Sequence, residues 1–385
     1  AGRRALDLAR MAVIQAENPV HEVMVMRDTP EPAPAYVLER GAYDAPRTEE
    51  RRVTRATPAF LPPLPEGAPL NRLGLARWLL RPDHPLTARV AVNRLWQQFF
   101  GTGLVDTPEN FGMQGGLPSH PELLDHLARS FIDGGWNIKA LCRRIVLSAT
   151  YRQDSRATAA LRERDPGNRL LARGPSGRLS AESIRDLALC AAGVLDTTLG
   201  GPPVNPYQPG GDLWRESNSM SPAFHQSTGT ALYRRSLYSV RKRTAPLPNM
   251  LLFDAPSRET CVVRRAPTSS PLQGLVLMND VQFVEAARLL ATRAIREAPD
   301  ASPAARITTG FRHLAGRAPT GAEQQVLGVL FTEQKQLFDS GASNAAELLK
   351  NGTTPAPADI PPADLAALTL VMQTILNLDD TIWKR

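Results

Sequence analysis

Apolar residues recur at helical spacing along most of the chain. Val92, Leu95, Trp96 and Phe99 keep the i, i+3, i+4, i+7 rhythm of one face of a 3.6-residue repeat, and the run stops at Gly101. Asn71 stands as an N-cap before LGLARWLL. Leu123, Leu124, Leu127 and Phe131 form another stripe, introduced by Ser119-His120-Pro121-Glu122, which reads as a capping box, and closed by Gly134-Gly135. Asn137 opens a helix through Ser148 with Ile138, Leu141, Cys142 and Ile145 on one face. Ser180 caps the next, with Ile184, Leu187, Ala188 and Ala191 inward. Helices resume at Ser270-Pro271 and Ser302-Pro303, where the serine caps and the proline sits in the first turn. Thr320 and Glu323 make a second capping box ahead of Val326, Leu327, Leu330 and Phe331. A last amphipathic helix carries Leu365, Leu368, Met372, Ile375 and Leu376.

Period-two alternation is rarer. VHEVMVMRD and AYVLERGAYD are strand-like runs among prolines in the first 70 residues, behind a short helix from Ala5 to Gln15. SLYSVRKR alternates Leu237, Ser239 and Arg241 with Tyr238, Val240 and Lys242 and predicts one more strand. The expected fold is mainly α: a multi-helix two-lobed bundle with an irregular, partly β central segment and an extended N-terminal arm. The expected division is 1–70 arm and end of a preceding domain, 71–200 helical lobe, 201–267 irregular basic segment, and 268–385 second helical lobe packed with the first.

Composition supports a sizeable core: 385 residues, 42% hydrophobic and 22% charged. With 27 Gly and 34 Pro, long irregular connections are expected. No apolar run reaches the ~18 residues of a membrane-spanning helix. The opening AGRRALDLARM has neither an initiating Met nor an apolar leader core, so the chain is expected to begin inside a longer polypeptide. Cys142, Cys190 and Cys261 are too few and too scattered for a disulfide framework, and no Cys-x-x-Cys-His is present for covalent haem attachment.

Charge changes the picture most. Between Tyr233 and Arg265 the chain places Arg234, Arg235, Arg241, Lys242, Arg243, Arg258, Arg264 and Arg265 against only Asp254 and Glu259. That is a local net charge of +6 out of +7 for the whole chain. Two readings stand side by side: a surface that binds an anionic partner through guanidinium forks, or arginines that staple an irregular segment through backbone carbonyls and acids elsewhere. No recognisable motif for nucleic acid surrounds the segment, which disfavours that partner.

Other candidates for chemistry are few. Asp254 and Glu259 are paired carboxylates for acid–base work beside a cationic wall, or else counter-ions of the arginines. His225 lies near Ser217, Ser219 and Ser221 without a G-x-S-x-G elbow. His120, Glu122 and His126 crowd one short helix with Asp125, at a spacing two metal ligands use, yet no third ligand has metal-motif spacing; the competing reading spends Glu122 on the capping box and pairs it with His126. Trp96 and Trp214 read as core aromatics rather than sugar platforms, since Trp96 sits on a helical apolar face.

Four stretches carry a family resemblance: NRLGLARWLLRPDHPLTARVAVNRLWQQFFGTGLVDTPENFG, PSHPELLDHLARSFIDGGWNIKALCRRIVLSATYRQDS, RRSLYSVRKRTAPLPNMLLFDAPSRETCVVRRAPTSSPLQGLVLMND and FRHLAGRAPTGAEQQVL. In order, from Asn71 to about Leu330, they resemble the planctomycete-specific domain of unknown function found C-terminal to planctomycete-type cytochrome c domains. The first 30 residues resemble the end of a domain that usually precedes it. The resemblance implies a periplasmic or cell-envelope setting, genes that often neighbour sulfatase-like genes, and haem c in an upstream domain, with no cofactor in this segment. The expectation is therefore a non-catalytic interaction or structural module that docks an acidic protein or a c-type cytochrome domain through the basic segment. The alternative is an enzyme acting on sulfated or acidic glycans, so an anionic polysaccharide remains a possible partner.

Overall fold

The computed structural model describes residues 2–17, 23–29, 31–208, 223–299 and 302–384. Trp214, Ser217, Ser219 and Ser221 lie outside them. Contacts divide the chain into two units, residues 1–88 and 89–385.

The first unit is sparsely packed. It opens with α1 (Gly2–Glu17), and a two-residue antiparallel pair, β1 (Ala35–Tyr36) with β2 (Arg52–Val53), follows. The AYVLERGAYD run thus pairs only at its start, and the described part of VHEVMVMRD joins no strand. Helix α2 (Arg72–Leu79) is capped as expected, the Asn71 side chain accepting from the Gly74 amide at 3.0 Å. Its Trp78 is buried, donates its indole N–H to the Pro62 carbonyl at 2.6 Å and meets His84 edge-on.

The second unit takes in helices read above, from within α3 (Thr87–Phe100) through α4 (Pro121–Asp133) and α5 (Ile138–Leu147), then the short α6 (Ala159–Arg164), which the pattern did not predict, and α7 (Ala181–Ala191). Val92, Trp96, Leu124, Leu127, Phe131, Leu141 and Ile145 are all buried. Asn137 and Ser180 cap α5 and α7 through the amides of Ala140 and Ser183. The capping box expected at α4 does not form: His120 is the N-cap, and no side chain caps the helix. Ser119 is turned the other way, its amide 2.8 Å and its hydroxyl 3.3 Å from the Leu104 carbonyl, which closes the loop between α3 and α4. Buried Asn93 grips the other side of that loop, exchanging two hydrogen bonds with the Val105 backbone.

Within the basic segment lies α8 (Pro248–Leu252), and past it come α9 (Pro271–Asn279), α10 (Val281–Glu297), α11 (Pro303–Ala315), α12 (Gly321–Asp339), α13 (Ala345–Leu349), α14 (Pro362–Leu376) and α15 (Asp379–Ile382). β3 (Gly177–Arg178) pairs antiparallel with β4 (Trp383–Lys384). Ser302 caps α11, and Thr320 with Glu323 forms the full capping box of α12. Ser270 occupies the N-cap of α9, but its hydroxyl makes no capping bond.

The core gathers around α10 and α14 and takes in α7, α9, α11 and α12. Helix α14 is not amphipathic. Leu365, Ala366, Ala367, Val371 and Met372 are buried along with Leu368, Ile375 and Leu376, because neighbours enclose it and a helix apolar on all sides has to be enclosed. Each of those leucines contributes about 1.5–3 kcal/mol on burial. Small residues let helices close in: a Cβ at Gly310 would stand 2.2 Å from the Met372 sulfur. The fold is thus mainly α, as the pattern predicts.

Candidate functional site

The basic segment is held down by α7. Arg185, on that helix, is 1% exposed and donates to the carbonyls of Leu232 and Arg234 at 2.8 Å, to the Ser236 hydroxyl at 3.2 Å and to Gln282 Oε1 at 3.1 Å. Burial pushes its guanidinium down to about 10. The neighbouring Asp186 accepts from the Ser236 amide at 2.8 Å and faces Arg235 at 3.8 Å. The strand expected at SLYSVRKR is instead a 3-10 turn at Ser236–Tyr238, followed by one parallel bridge of Ser239 to Val204. With only Val204 alongside, there is no ladder for alternation to exploit.

Arg234 is a staple. It is 6% exposed, reaches the carbonyls of Thr198, Gly200 and Pro202, and lies 3.8 Å over the Tyr238 ring. Further along, Arg241 and Arg265 clamp one carboxylate, Glu182 of α7; Arg265 binds it bidentately at 2.6 and 3.1 Å. Burial works to raise the Glu182 carboxyl, but the Arg265 hydrogen bonds and the charge of both arginines prevail and hold it down to about 2. Arg241 is itself 9% exposed in its side chain. Its guanidinium is lowered by burial and, in part, by the like charges of Arg258 and Arg265, so three cations share the neighbourhood of one acid.

The loop from 254 to 268 closes on Asp254. Buried Arg178 of β3 pairs with its carboxylate, and the Thr268 amide and hydroxyl donate to it at 2.8 and 2.9 Å. Although burial opposes the charged form, these donors keep the Asp254 carboxyl below the usual carboxylate range. Asp254 has φ +60°, a left-handed conformation that Asp tolerates better than most residues. Its acceptor capacity is spent on holding the loop. Glu259 is exposed, and its amide donates to the Ser257 hydroxyl at 3.4 Å. His225 is exposed, and its carbonyl accepts from Asn205 at 2.8 Å. No hydrogen bond joins Asp254, Glu259 and His225 among the described residues.

The remaining cations are outside. Arg243 and Arg258 are exposed and pair with no acid among the described residues, while Arg264 is exposed and touches the Asp106 carbonyl at 3.5 Å. Lys242 is half-buried. The segment therefore divides: Arg234 and Arg241 staple, and Arg243, Arg258 and Arg264 are exposed.

On α4, Glu122 and His126 are exposed and not bonded to each other, His120 meets the Ser119 hydroxyl at 3.0 Å, and Asp125 pairs with Arg89 at 2.6 Å. No group of three or more His, Cys, Asp or Glu able to hold a metal occurs among the described residues. A cleft of about 380 Å³ is lined by Ala304, Ala305, Thr308, Ala318, Pro319, Thr320, Gly321 and Gln324, none of them a candidate acid, base or arginine. No helix among the described residues is long and apolar enough to cross a membrane.

Sequence reasoning passed over the anchors. Glu182 and Asp186 stand at i, i+4 on α7, a visible spacing, with Arg178 ahead of them and Arg185 between them. It also passed over a fully buried network: Glu285 accepts from the hydroxyls of Tyr207 at 2.8 Å and Tyr233 at 3.1 Å and from the Thr354 amide at 2.8 Å, with buried Arg288 at 3.6 Å.

The family model described as PSD1, a protein of unknown function (DUF1553), matches residues 71–331. The chain belongs to this family. The match runs from the Asn71 cap to Phe331 on α12 and so takes in the whole basic segment with its α7 anchors. No curated protein and no solved structure shows significant similarity to the chain.

Proposed function

We propose that this chain is a non-catalytic docking module that binds an acidic partner protein through the outward-facing arginines of the basic segment. The observation that carries the reading is the pair Arg243 and Arg258: exposed guanidiniums with no counter-ion among the described residues, beside a clamp in which Glu182 answers both Arg241 and Arg265. A stapled loop presenting exposed arginines lowers the ordering cost of binding and steers an acidic surface toward it. The engagement of Asp254 by Arg178 and Thr268 favours this reading over one in which that carboxylate moves protons. The partner we propose is an acidic protein or a c-type cytochrome domain in an extracytoplasmic, haem-associated assembly, with haem c carried upstream.

The test is binding to an acidic c-type cytochrome, a neutral protein and a sulfated glycan at low and high salt, with Arg243→Gln/Arg258→Gln alongside. Saturable binding to the cytochrome, weakened by salt and about tenfold by the double variant, is expected, since rim charges contribute up to about 1 kcal/mol each. Salt-independent binding, or full binding by the double variant, contradicts the proposal. Glycan turnover abolished by Glu259→Gln with the fold intact would replace it with the enzyme reading.

A further inference from the structure

The arginine loop lands on a helix whose outer face is unexpectedly apolar. Nearly every residue of α9, PLQGLVLMN, is apolar, and a helix of that composition is normally enclosed. Here only the inner side is: Gln273 and Leu277 are buried, whereas Leu272, Leu275 and Met278 are 55%, 54% and 49% exposed. Their i, i+3, i+6 spacing makes one stripe, and α8 packs beside α9 with Leu251 41% exposed. Scattered exposed leucines are ordinary on protein surfaces, but a continuous stripe marks a contact surface.

The stripe and the arginines are built as one piece. Gln273 of α9 donates to the Leu252 carbonyl at 2.8 Å and to the Thr268 carbonyl at 3.2 Å, joining the base of the loop to both helices. Arg258 and Arg264 are exposed residues of that loop, and no side chain caps the α9 N-terminus that follows it, where the helix dipole adds positive potential.

From this juxtaposition we infer that α9 and the arginine loop form a composite groove for an amphipathic helix of the partner, leucine-rich on the side that meets α9 and acidic on the side that meets Arg258 and Arg264. An apolar centre flanked by charge is the arrangement by which an amphipathic helix is held and oriented. A second copy of this chain is the poorer occupant, because a net charge of +7 sets cation against cation. The inference rests on the docking reading and specifies its partner.

The experiment is fluorescence anisotropy of the full chain with three labelled probes. One is an amphipathic peptide of leucine and glutamate at helical spacing, the second the same residues in scrambled order, the third polyglutamate. The groove binds the amphipathic peptide at least about tenfold more tightly than the other two, and Leu275→Ser removes that preference, with Leu272→Gln as the substitute if Leu275→Ser does not fold. Equal binding of all three probes, unchanged by Leu275→Ser but lost with Arg258→Gln, overturns the groove and leaves charge-based docking standing. Binding of none overturns both. A concentration-dependent dimer of the chain that Leu275→Ser dissolves also overturns it, since the stripe then belongs to self-association.

Discussion

Replacing Glu182 with Gln tests whether the arginine clamp holds the basic segment in place. The folded carboxyl sits at about 2 against an ordinary value of 4.5. At about 1.36 kcal/mol per pH unit that gap corresponds to at most about 3.4 kcal/mol. Arg265 is 42% exposed in its side chain, so solvent screens part of the pair, and about 1–2 kcal/mol is the reasonable share. Losing the acid also leaves Arg241, 9% exposed, without its carboxylate, which acts in the same direction. Because the folded value is depressed, the contribution is fully present above about pH 4.5 and is lost as pH falls toward 2. Glu182→Gln should lower the thermal midpoint at pH 7 by roughly 2–6 °C, and the gap from the parent chain should shrink as pH falls from about 4.5 toward 3. Thermal unfolding by circular dichroism at pH 7, 4 and 3 reads both. Equal midpoints at pH 7, or a gap that does not narrow in acid, would refute the clamp as a source of stability.

Two further substitutions probe the rest of the core. Glu285→Ala leaves buried Arg288 without its carboxylate and takes one acceptor from each of the two tyrosine hydroxyls, and should cost roughly 3–5 kcal/mol in urea unfolding; a shift below 1 kcal/mol would show the network contributes little. Thr320→Ala removes one half of the α12 capping box and should cost about 1 kcal/mol, read as a lower midpoint in the same assay; no change would mean the helix end is held without its cap.

Caps were the most legible features, because Asn71, Asn137, Ser180, Ser302 and Thr320 each bond an amide three residues on. Ser119 has the same local signature, yet the Leu104 carbonyl, fifteen residues away, takes its amide and hydroxyl. The alternation of SLYSVRKR promised a strand, but a strand is made by its neighbour, and only Val204 is there. For the site, the concentration of arginines was plain in the sequence and its division of labour was not. Arg234 and Arg243 are nine residues apart and chemically identical; one is buried against three carbonyls and the other is exposed. What separates them is Glu182, Asp186 and Arg185 on α7, which meet the segment from far back along the chain, 59 residues away for Glu182 and Arg241.

The central claim is that exposed arginines on a stapled loop dock an acidic partner. Titrating an acidic c-type cytochrome against the intact chain and the Arg243→Gln/Arg258→Gln variant across a range of ionic strength tests it most directly. The account predicts saturable binding by the parent that weakens steeply with salt, and a weaker, less salt-sensitive curve for the variant. Superimposable curves for the two proteins, or binding indifferent to salt, would contradict it.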